Sequence, residues 1–213
     1  YNLLALPVID DGGLLVGVIT IDDVVDVLVD EATEDIQRLG ASAPLDKPYL
    51  ETSPLTVFRK RIGWLMLLFL TGTLTGTVLR HFEVQMQVVV SLAIFIPLLI
   101  GTGGNAGSQT TSTIIRALAV GDLDRKSLLA PLWHELRVSL LLGATMGIVA
   151  FGRALLWGTS TGVGLTVALS IMAIVIWANS LGSVLPLLAQ KIHIDPTVVS
   201  VPTMSTLLCA TGV

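Results

Sequence analysis

The sequence has 213 residues, of which 53% are hydrophobic and 13% are charged, and its formal net charge is −4. A soluble domain usually carries about 25% charged residues, so this composition argues against an ordinary soluble protein and favours one embedded in a membrane. The single cysteine, Cys209, excludes an internal disulfide.

Charge is divided unevenly along the chain. Residues 1–51 hold 11 of the 16 acidic residues and two of the 12 basic ones, a net charge of about −9. Residues 52–213 hold five acidic and ten basic residues, a net charge of about +5. An acidic, water-facing segment is suited to cations or basic partners, so nucleic acid is not a predicted partner.

The first part of the chain predicts two short strands and a helix. Two apolar runs, residues 4–9 and 14–20, flank a turn that contains two aspartates and two glycines. A helix is predicted to follow from residue 21 to Leu39, with Thr20 or Asp22 as its N-cap and Gly40 as its stop signal.

A linker is predicted between this segment and the apolar body. Residues 41–53 contain two prolines, Pro44 and Pro48, and Pro54 is expected to start the next helix.

The body of the chain contains apolar runs of the length that crosses a membrane. A span needs roughly 20 apolar residues to cross a hydrocarbon core of about 30 Å. The predicted fold class is therefore a membrane all-α protein with five spans, preceded by a partial α+β domain and a connecting helix. The predicted spans are about 62–79, 86–116, 136–157, 163–189 and 197–213, the last one truncated by the end of the sequence.

Basic residues in the connections predict the orientation of the spans, because cytosolic loops are enriched in lysine and arginine. Eight basic residues lie on the side of the acidic segment and two on the other side, which places the acidic segment in the cytosol. The eight are Arg59, Lys60, Arg61, Arg116, Arg125, Lys126, Arg137 and Lys191, and the two are Arg80 and Arg153. We expect a multi-pass protein of the cell (inner) membrane.

A polar, glycine-rich stretch interrupts the second span. Residues 101–113 read GTGGNAGSQTTST. Irregular backbone at membrane depth must face protein or water, because unpaired peptide groups are costly in lipid. Exposed carbonyl groups and uncharged side-chain oxygens are what a cation uses to replace its hydration. The alternative is a glycine-rich helix crossing whose hydroxyl groups bond back to the backbone.

Small residues recur at the spacing that allows close helix contact. Gly72 and Gly76 lie four residues apart in the first span, and Gly143 and Gly147 do so in the third. The alternative reading is that these are tolerated glycines on lipid-facing helices.

The fourth and fifth spans contribute further polar groups. The fourth contains the run NSLGS at residues 179–183, and the fifth contains Asp195-Pro196 and Pro202 among several hydroxyl residues. A proline in a span frees a backbone carbonyl. Three spans could thus supply polar atoms to one path.

These patterns resemble the MgtE family of magnesium channels. The most specific match is the run GTGGNAGSQ at residues 101–109 followed by IIRALA at 114–119. Residues 6–10 and 17–24 resemble the end of a second CBS domain, and residues 30–36 resemble the start of the plug helix of the family. Asp195-Pro196, Pro202 and Thr211-Gly212 resemble its fifth span.

The resemblance implies a domain organisation and a pore. It implies the C-terminal part of a cytosolic CBS domain at residues 1–27, a plug helix and linker at 28–53, and a transmembrane domain at 54–213. Family members are homodimers whose second and fifth spans line the pore. The implied pore residues are Gly104, Asn105, Ala106, Ser108, Ser112, Val201, Ser205 and Cys209.

The resemblance also implies regulation by cytosolic ligands. Intracellular Mg²⁺ is expected to bridge the plug helix and the CBS domains and to close the pore. The matching acidic residues are Asp23, Asp26, Glu31, Glu34 and Asp35. CBS pairs also bind adenine nucleotides, and Thr20 and Asp22 match the contact positions for ATP.

Cys209 stands where the family has a pore aspartate, two residues before Thr-Gly. A thiol is a soft ligand that suits Mg²⁺ poorly, so a transporter of Co²⁺, Ni²⁺ or Mn²⁺ is an alternative to passive entry of Mg²⁺. An enzyme that uses Cys209 as its nucleophile would need a base, and the histidines lie at span ends, far from it in sequence. We therefore expect a protein that is not an enzyme, and the large apolar body argues against a purely regulatory CBS module.

Overall fold

The computed structural model describes residues 3–84, 90–123, 129–199 and 201–211. Within them the chain is mostly helical, with one small sheet at the start. This confirms the predicted mostly helical architecture with a small sheet-containing part at its start.

The predicted strands form an antiparallel hairpin. Strands β1 (Ala5–Ile9) and β2 (Leu15–Thr20) pair, with Ala5 opposite Thr20. The turn is closed by Asp10, whose Oδ1 accepts a hydrogen bond of 2.8 Å from the backbone N–H of Leu14. Gly13 adopts a φ of 79°, a left-handed conformation that glycine adopts without strain.

Helix α1 (Ile21–Leu39) follows the hairpin directly, as the sequence predicts, and Gly40 is its C-cap. The boundary expected between residues 27 and 28 therefore falls inside one continuous helix. None of the residues of α1 is fully buried.

The linker packs back onto the helix that follows it. Residues 41–53 contain one short 3₁₀ helix, Tyr49–Glu51. Lys60, near the start of α2, donates to Asp46 at 2.7 Å and to the carbonyl of Pro44. The linker is therefore attached to the apolar body by hydrogen bonds.

Five further helices and one short helical turn make up the body. They are α2 (Pro54–His81), α3 (Val90–Ala93), α4 (Ile96–Ala119), α5 (Leu129–Leu156), α6 (Thr161–Lys191) and α7 (Val201–Thr211). A 3₁₀ helix, Pro196–Val198, lies between α6 and α7. Four segments, one of them the combined α3–α4 stretch, are long and apolar enough to cross a membrane.

Helices α2, α5 and α6 extend past the predicted spans, and serine side chains cap the first turns of α2 and α6. Helix α2 begins at Pro54, where the Ser53 hydroxyl accepts a hydrogen bond of 3.3 Å from the backbone N–H of Thr56. The second predicted span is interrupted between α3 and α4, and Pro97 occupies the first turn of α4, where its missing N–H costs no hydrogen bond. Residues 86–89 of that prediction lie outside the described residues.

The fifth predicted span, residues 197–213, stays a prediction. The described helix α7 has 11 residues, which is shorter than a membrane span requires.

Helix α6 forms the centre of the body. It packs against α5 on one side and against α4 on the other, and α7 packs mainly on α4. The largest buried cluster joins Phe95 before α4, Ala150 and Ala154 of α5, and Val167 and Ile171 of α6. Helix α2 touches mainly α7 and has no fully buried residue among those described.

Candidate functional site

The glycine-rich stretch of residues 101–113 forms part of the regular helix α4. Its backbone carbonyls therefore lie within a continuous helical ladder. The expectation that this stretch offers exposed carbonyls to a cation is wrong in the described chain, because the glycines bring neighbouring helices close without unwinding the backbone. The alternative reading is confirmed in part: the glycines form close helix crossings and Thr113 bonds back to the carbonyl of Gln109, but Thr110 and Thr111 donate to neighbouring helices.

Three glycines of α4 mark these crossings. A Cβ atom placed on Gly103 would lie 2.5 Å from the side chain of Ile174. At Gly107 a Cβ atom would lie 2.7 Å from Leu208 and 3.3 Å from the carbonyl oxygen of Ala178. At Gly104 it would lie 3.3 Å from the hydroxyl of Ser205. Helix α4 thus touches both α6 and α7 at backbone level.

The predicted pore residues of α4 do not share one surface. Asn105 is exposed, and Ser108 and Ser112 are half-buried. These three lie on one side of α4 by helical spacing. Ala106 points elsewhere and packs against both the α5–α6 cluster and the α6–α7 cluster, while Gly104 is buried against α7.

The predicted pore residues of α7 lie in one row. Val201, Ser205 and Cys209 are four residues apart, which places them on the same side of the helix, and all three are half-buried. Met204 and Leu208 form the adjacent, fully buried side. Gly104 and Ser205 are the predicted pore residues that the structure brings into direct contact.

A groove beside α4 exposes its amide side chains. It has a volume of about 250 Å³ and lies between α4 and α5, with Thr102, Asn105 and Gln109 on one wall, Leu142 and Met146 on the other, and Val175 between them. Asn105 therefore opens on a surface of the chain next to α5.

The two predicted small-residue pairs behave differently. A Cβ atom on Gly143 would lie 3.2 Å from the carbonyl oxygen of Met172, and one on Gly147 would lie 3.0 Å from that of Ala168. Close contact between α5 and α6 is therefore confirmed. A Cβ atom on Gly72 or Gly76 would meet no atom of the described chain within 4 Å, so neither contributes to packing there.

The polar patch of the fourth span faces the other helices. Asn179 and Ser183 are 1% and 0% exposed, and Thr110 and Thr111 of α4 are 5% and 0% exposed. Thr111 donates to the carbonyl of Gly182 at 3.3 Å, and Thr110 donates to the carboxylate of Glu135 at 3.3 Å. The contact of Glu135 could not be predicted from the sequence, because its position one residue after a histidine near a span end matches no recognisable motif.

The acidic residues of α1 do not converge. Glu34 and Asp35 are half-buried and the other three predicted sensing residues are exposed. No group of three or more acidic, histidine or cysteine side chains suited to a metal ion occurs within residues 3–84, 90–123, 129–199 and 201–211.

Two of the predicted ligand-binding residues form the cap of α1. The carboxylate of Asp23 accepts hydrogen bonds from the backbone N–H of Thr20 at 2.8 Å and from its hydroxyl at 2.6 Å. These bonds from Thr20 lower the pKa of Asp23. Asp22, the other residue predicted to contact ATP, is exposed at the same end of the helix.

Arg38 connects α1 to the segment that leads into α7. Its guanidinium bonds to Glu34 within α1 and to Asp195, 157 residues away. Asp195 is the N-cap of the 3₁₀ helix Pro196–Val198, and its Oδ1 accepts from the backbone N–H of Thr197 at 2.9 Å. This pair could not be predicted from the sequence, since no local pattern links positions so far apart.

The carboxylates around Arg38 differ in pKa. Burial by itself raises the pKa of Asp195, but the hydrogen bonds from Thr197 and Arg38 outweigh it and hold the pKa below its ordinary value. Burial raises the pKa of Asp35, and the negative charges of Asp195 and Glu34 raise it further against the opposing effect of Arg38. Arg38 thus interacts electrostatically with three carboxylates, those of Glu34, Asp35 and Asp195.

Comparison with known proteins identifies the family of the chain. Residues 96–213 match the sequence profile of the MgtE family, described as divalent cation transporters. Three relatives, each called magnesium transporter MgtE, align with nearly the whole chain. The relative from Thermus thermophilus is 42% identical over 212 residues, which are 100% of this chain and 47% of that protein.

The other two relatives are more distant. The Bacillus subtilis protein is 31% identical over 207 residues, 97% of this chain and 46% of the relative. The Enterococcus faecalis protein is 32% identical over 213 residues, 100% of this chain and 46% of the relative. The chain spans about half the length of the curated relatives it matches. The family is one of transporters and not of enzymes, and the resemblance seen in the sequence is confirmed: this chain belongs to the MgtE family of divalent cation transporters.

Proposed function

We propose that this protein is a Mg²⁺-selective channel or transporter that mediates passive magnesium entry. The observation that carries the proposal is the alignment of three magnesium transporters with 97–100% of the chain. The four membrane-length apolar segments support a multi-pass membrane protein.

The proposed ion path runs along the surface of the chain where α4 and α7 meet. Their contact at Gly104 and Ser205 supports it, as does the row of Val201, Ser205 and Cys209. Because α4 keeps its helical ladder, the oxygen donors proposed for this path are side-chain hydroxyls such as that of Ser205. Mg²⁺ dehydrates reluctantly and binds with several of its waters, so such a path selects a hydrated ion by size and water geometry.

We propose that the second half of the path comes from a second copy of the chain. A homodimer would place α4 and α7 of both subunits around one axis. The exposure of Asn105 and the half-exposure of Ser108 and Ser112 support this arrangement, since polar groups at membrane depth need water or a protein partner.

The proposed gate is the acidic helix α1. We place the protein in the inner membrane, with α1 on its cytosolic side. Residues 1–27 would belong to a CBS domain and residues 28–53 to the plug helix and linker. Intracellular Mg²⁺ bound by Asp23, Asp26, Glu31, Glu34 and Asp35 would favour the closed state. The contact of Arg38 with Asp195 supports this idea, because it ties α1 to the segment that leads into α7.

An ion can shift such a gate only by its differential affinity for the two states. Carboxylates that crowd one arginine repel one another, and a divalent cation relieves that repulsion in the arrangement that brings them closest. ATP at Thr20 and Asp22 stays a prediction.

Flux of Mg²⁺ into proteoliposomes tests the proposal. We expect uptake that follows the Mg²⁺ gradient and the membrane potential, without ATP or a proton gradient. The loss-of-function variant is Gly104→Leu, whose side chain would fill the contact between α4 and Ser205 and should abolish uptake. Uptake that requires an added energy source contradicts passive entry.

The thiol of Cys209 favours a second candidate, a transporter of Co²⁺, Ni²⁺ or Mn²⁺, since these ions accept softer ligands than Mg²⁺ does. Competition by each ion against Mg²⁺ uptake separates the two. Uptake of Co²⁺ or Ni²⁺ that exceeds that of Mg²⁺ at equal concentration supports the second candidate.

A further inference from the structure

The interface of α4, α5 and α6 contains a buried amide with no partner. Asn179 is 1% exposed, and neither its Oδ1 nor its Nδ2 has a hydrogen-bond partner among the described residues. Buried polar side chains in native proteins are almost always hydrogen-bonded, and one that is not calls for a water, an ion or a functional explanation. The cost is higher in a membrane, where no water is available to bond the unpaired group.

The same interface contains a carboxylate without an ion pair. Glu135 lies in the second turn of α5 and is half-buried. Its Oε2 accepts the hydroxyl of Thr110 at 3.3 Å, and no ion pair to it occurs in the described part of the chain. Glu135 stands one residue before the predicted third span, and a half-buried carboxylate at the edge of the membrane usually has a functional partner.

Helix register places the two groups at one level. Gly143 and Gly147 of α5 contact Met172 and Ala168 of α6, so these helices are antiparallel. Continuing that register at the helical rise puts residues 135–139 opposite 176–180. Glu135 therefore lies level with Asn179.

Helix α4 reaches the same level. A Cβ atom on Gly182 would lie 3.2 Å from the Cβ of Thr110 and 3.1 Å from the hydroxyl of Thr111. Asn179 lies one turn before Gly182, on an adjoining part of the same side of α6. Thr110 thus approaches Glu135 from one direction and the Asn179 turn from another.

Two further hydroxyls of this region already donate their hydrogens to backbone carbonyls. Ser139 is fully buried and donates to the carbonyl of Glu135 at 2.6 Å, and Ser183 donates to that of Ser180 at 3.1 Å. Their oxygens can still accept a bond or ligate a cation. The unmatched groups are therefore a carboxylate and an amide, set beside hydroxyls that keep acceptor capacity.

We propose that Glu135, Thr110 and Asn179 form a cation site within each subunit, apart from the ion path between α4 and α7. Carboxylate, hydroxyl and amide oxygens are the hard donors that Mg²⁺ and Na⁺ share. A cation there neutralises Glu135 and occupies Oδ1 of Asn179, and its bound water accepts from Nδ2. It would hold three spans together at the level where α4 crosses α6.

Infrared difference spectroscopy of the purified protein in detergent tests the site directly. Spectra in MgCl₂ and in NaCl are each compared with choline chloride, and the bands of Glu135 are those lost in Glu135→Gln. We expect a carboxylate shift with at least one of the two cations, absent in Asn179→Leu and retained in the control Thr166→Val. Thr166 is a suitable control because its hydroxyl bonds only back to the carbonyl of Gly162 in α6.

The cation that shifts the band identifies the occupant. Overturning results are a Glu135 band that responds to neither ion, or one that responds equally in Asn179→Leu, since the amide then takes no part. Acidic residues of α1 do not confuse this readout, because their bands persist in Glu135→Gln.

Thermal unfolding provides a second measurement that remains available if Asn179→Leu does not fold. The identified cation should raise the Tm of the protein and of the control Glu51→Gln by about 2–4 °C more than it raises that of Glu135→Gln. An equal rise in all three contradicts the site. Where Asn179→Leu does fold, a Tm above that of the parent in every salt also contradicts it, because an amide without a ligand is better replaced by an apolar side chain. None of these readouts depends on Mg²⁺ transport.

Discussion

Gly182 of α6 lies against Gly107 of α4 so closely that a Cβ atom on Gly182 would be 2.6 Å from the carbonyl oxygen of Gly107. That atom belongs to the backbone of a regular helix and cannot move without moving α4. The polar, glycine-rich sequence of α4 therefore determines how closely it approaches the central helix.

Gly182→Ala should consequently destabilise the protein. Overpacking of this kind costs about 1–3 kcal/mol, and we expect the Tm in detergent to fall by several degrees. Gly152→Ala in α5 is the matched control, since a Cβ there meets no atom of the described chain within 4 Å and alanine favours a helix. Equal Tm values for the two variants would mean that α4 and α6 are not in contact at this level.

Asp195→Asn should destabilise the protein at neutral pH. The folded pKa of Asp195 is lowered, so its charge contributes stability above the ordinary aspartate pKa, and that contribution is lost as pH falls through the folded value. We expect a lower Tm than the parent at pH 7 and a difference that shrinks towards pH 3. A constant difference across this range would point to lost packing and not to lost charge.

Asp35→Asn should slightly stabilise the protein at neutral pH, in contrast to Asp195→Asn. The folded pKa of Asp35 is raised by burial and by neighbouring carboxylates, so its ionised form opposes folding at neutral pH. We expect the Tm at pH 7 to be slightly above that of the parent and the difference to disappear below the ordinary aspartate pKa. The exposed Asp11→Asn serves as the control, and a Tm below the parent at pH 7 contradicts the assignment.

Neutralising Glu31, Glu34 and Asp35 together should remove inhibition of uptake by Mg²⁺ on the cytosolic side. The ion would no longer distinguish the two states of the gate, so uptake in proteoliposomes should persist at internal Mg²⁺ concentrations that stop the parent. Neutralising Asp10, Asp11 and Glu51 is the control for total charge. Unchanged inhibition in the triple variant would place the sensor elsewhere.

Cys209→Asp should raise Mg²⁺ uptake, because a carboxylate is a harder ligand than a thiol and adds a negative charge to the proposed path. Cys209→Ser is the control, since it adds an oxygen without charge. We expect several-fold faster uptake in the aspartate variant. Equal uptake in all three forms would mean that the polar side of α4 and its water suffice.

Trp177→Phe should loosen the end of α7. The indole Nε1 donates to the hydroxyl of Thr211 at 2.9 Å, and Thr211 also bonds back to Leu207 within α7. Losing one such bond costs about 0.5–1.5 kcal/mol, which should lower the Tm by a few degrees. In a double-mutant cycle with Thr211→Val the two effects should be less than additive, and full additivity would show that the bond contributes nothing.

Much of the fold could be predicted from local pattern. Turn residues between two apolar runs predicted the β1–β2 hairpin, and Thr20 and Gly40 predicted both ends of α1. Apolar length predicted the spans, although capping residues such as Ser53 extended the helices beyond the apolar runs. The break between α3 and α4 was missed, because the apolar character of the chain continues through it.

Sequence by itself determined the family, the membrane-length segments and the small residues available for close contact, because each of these follows from composition or from spacing along the chain. Only the tertiary structure decided which small residues are used: Gly143 and Gly147 meet α6, whereas Gly72 and Gly76 meet nothing in the described chain. It also decided the pairing of Arg38 with Asp195 and the approach of Glu135 to Thr110. Such pairs depend on how helices are stacked and registered, and that arrangement is set by packing between segments far apart in sequence.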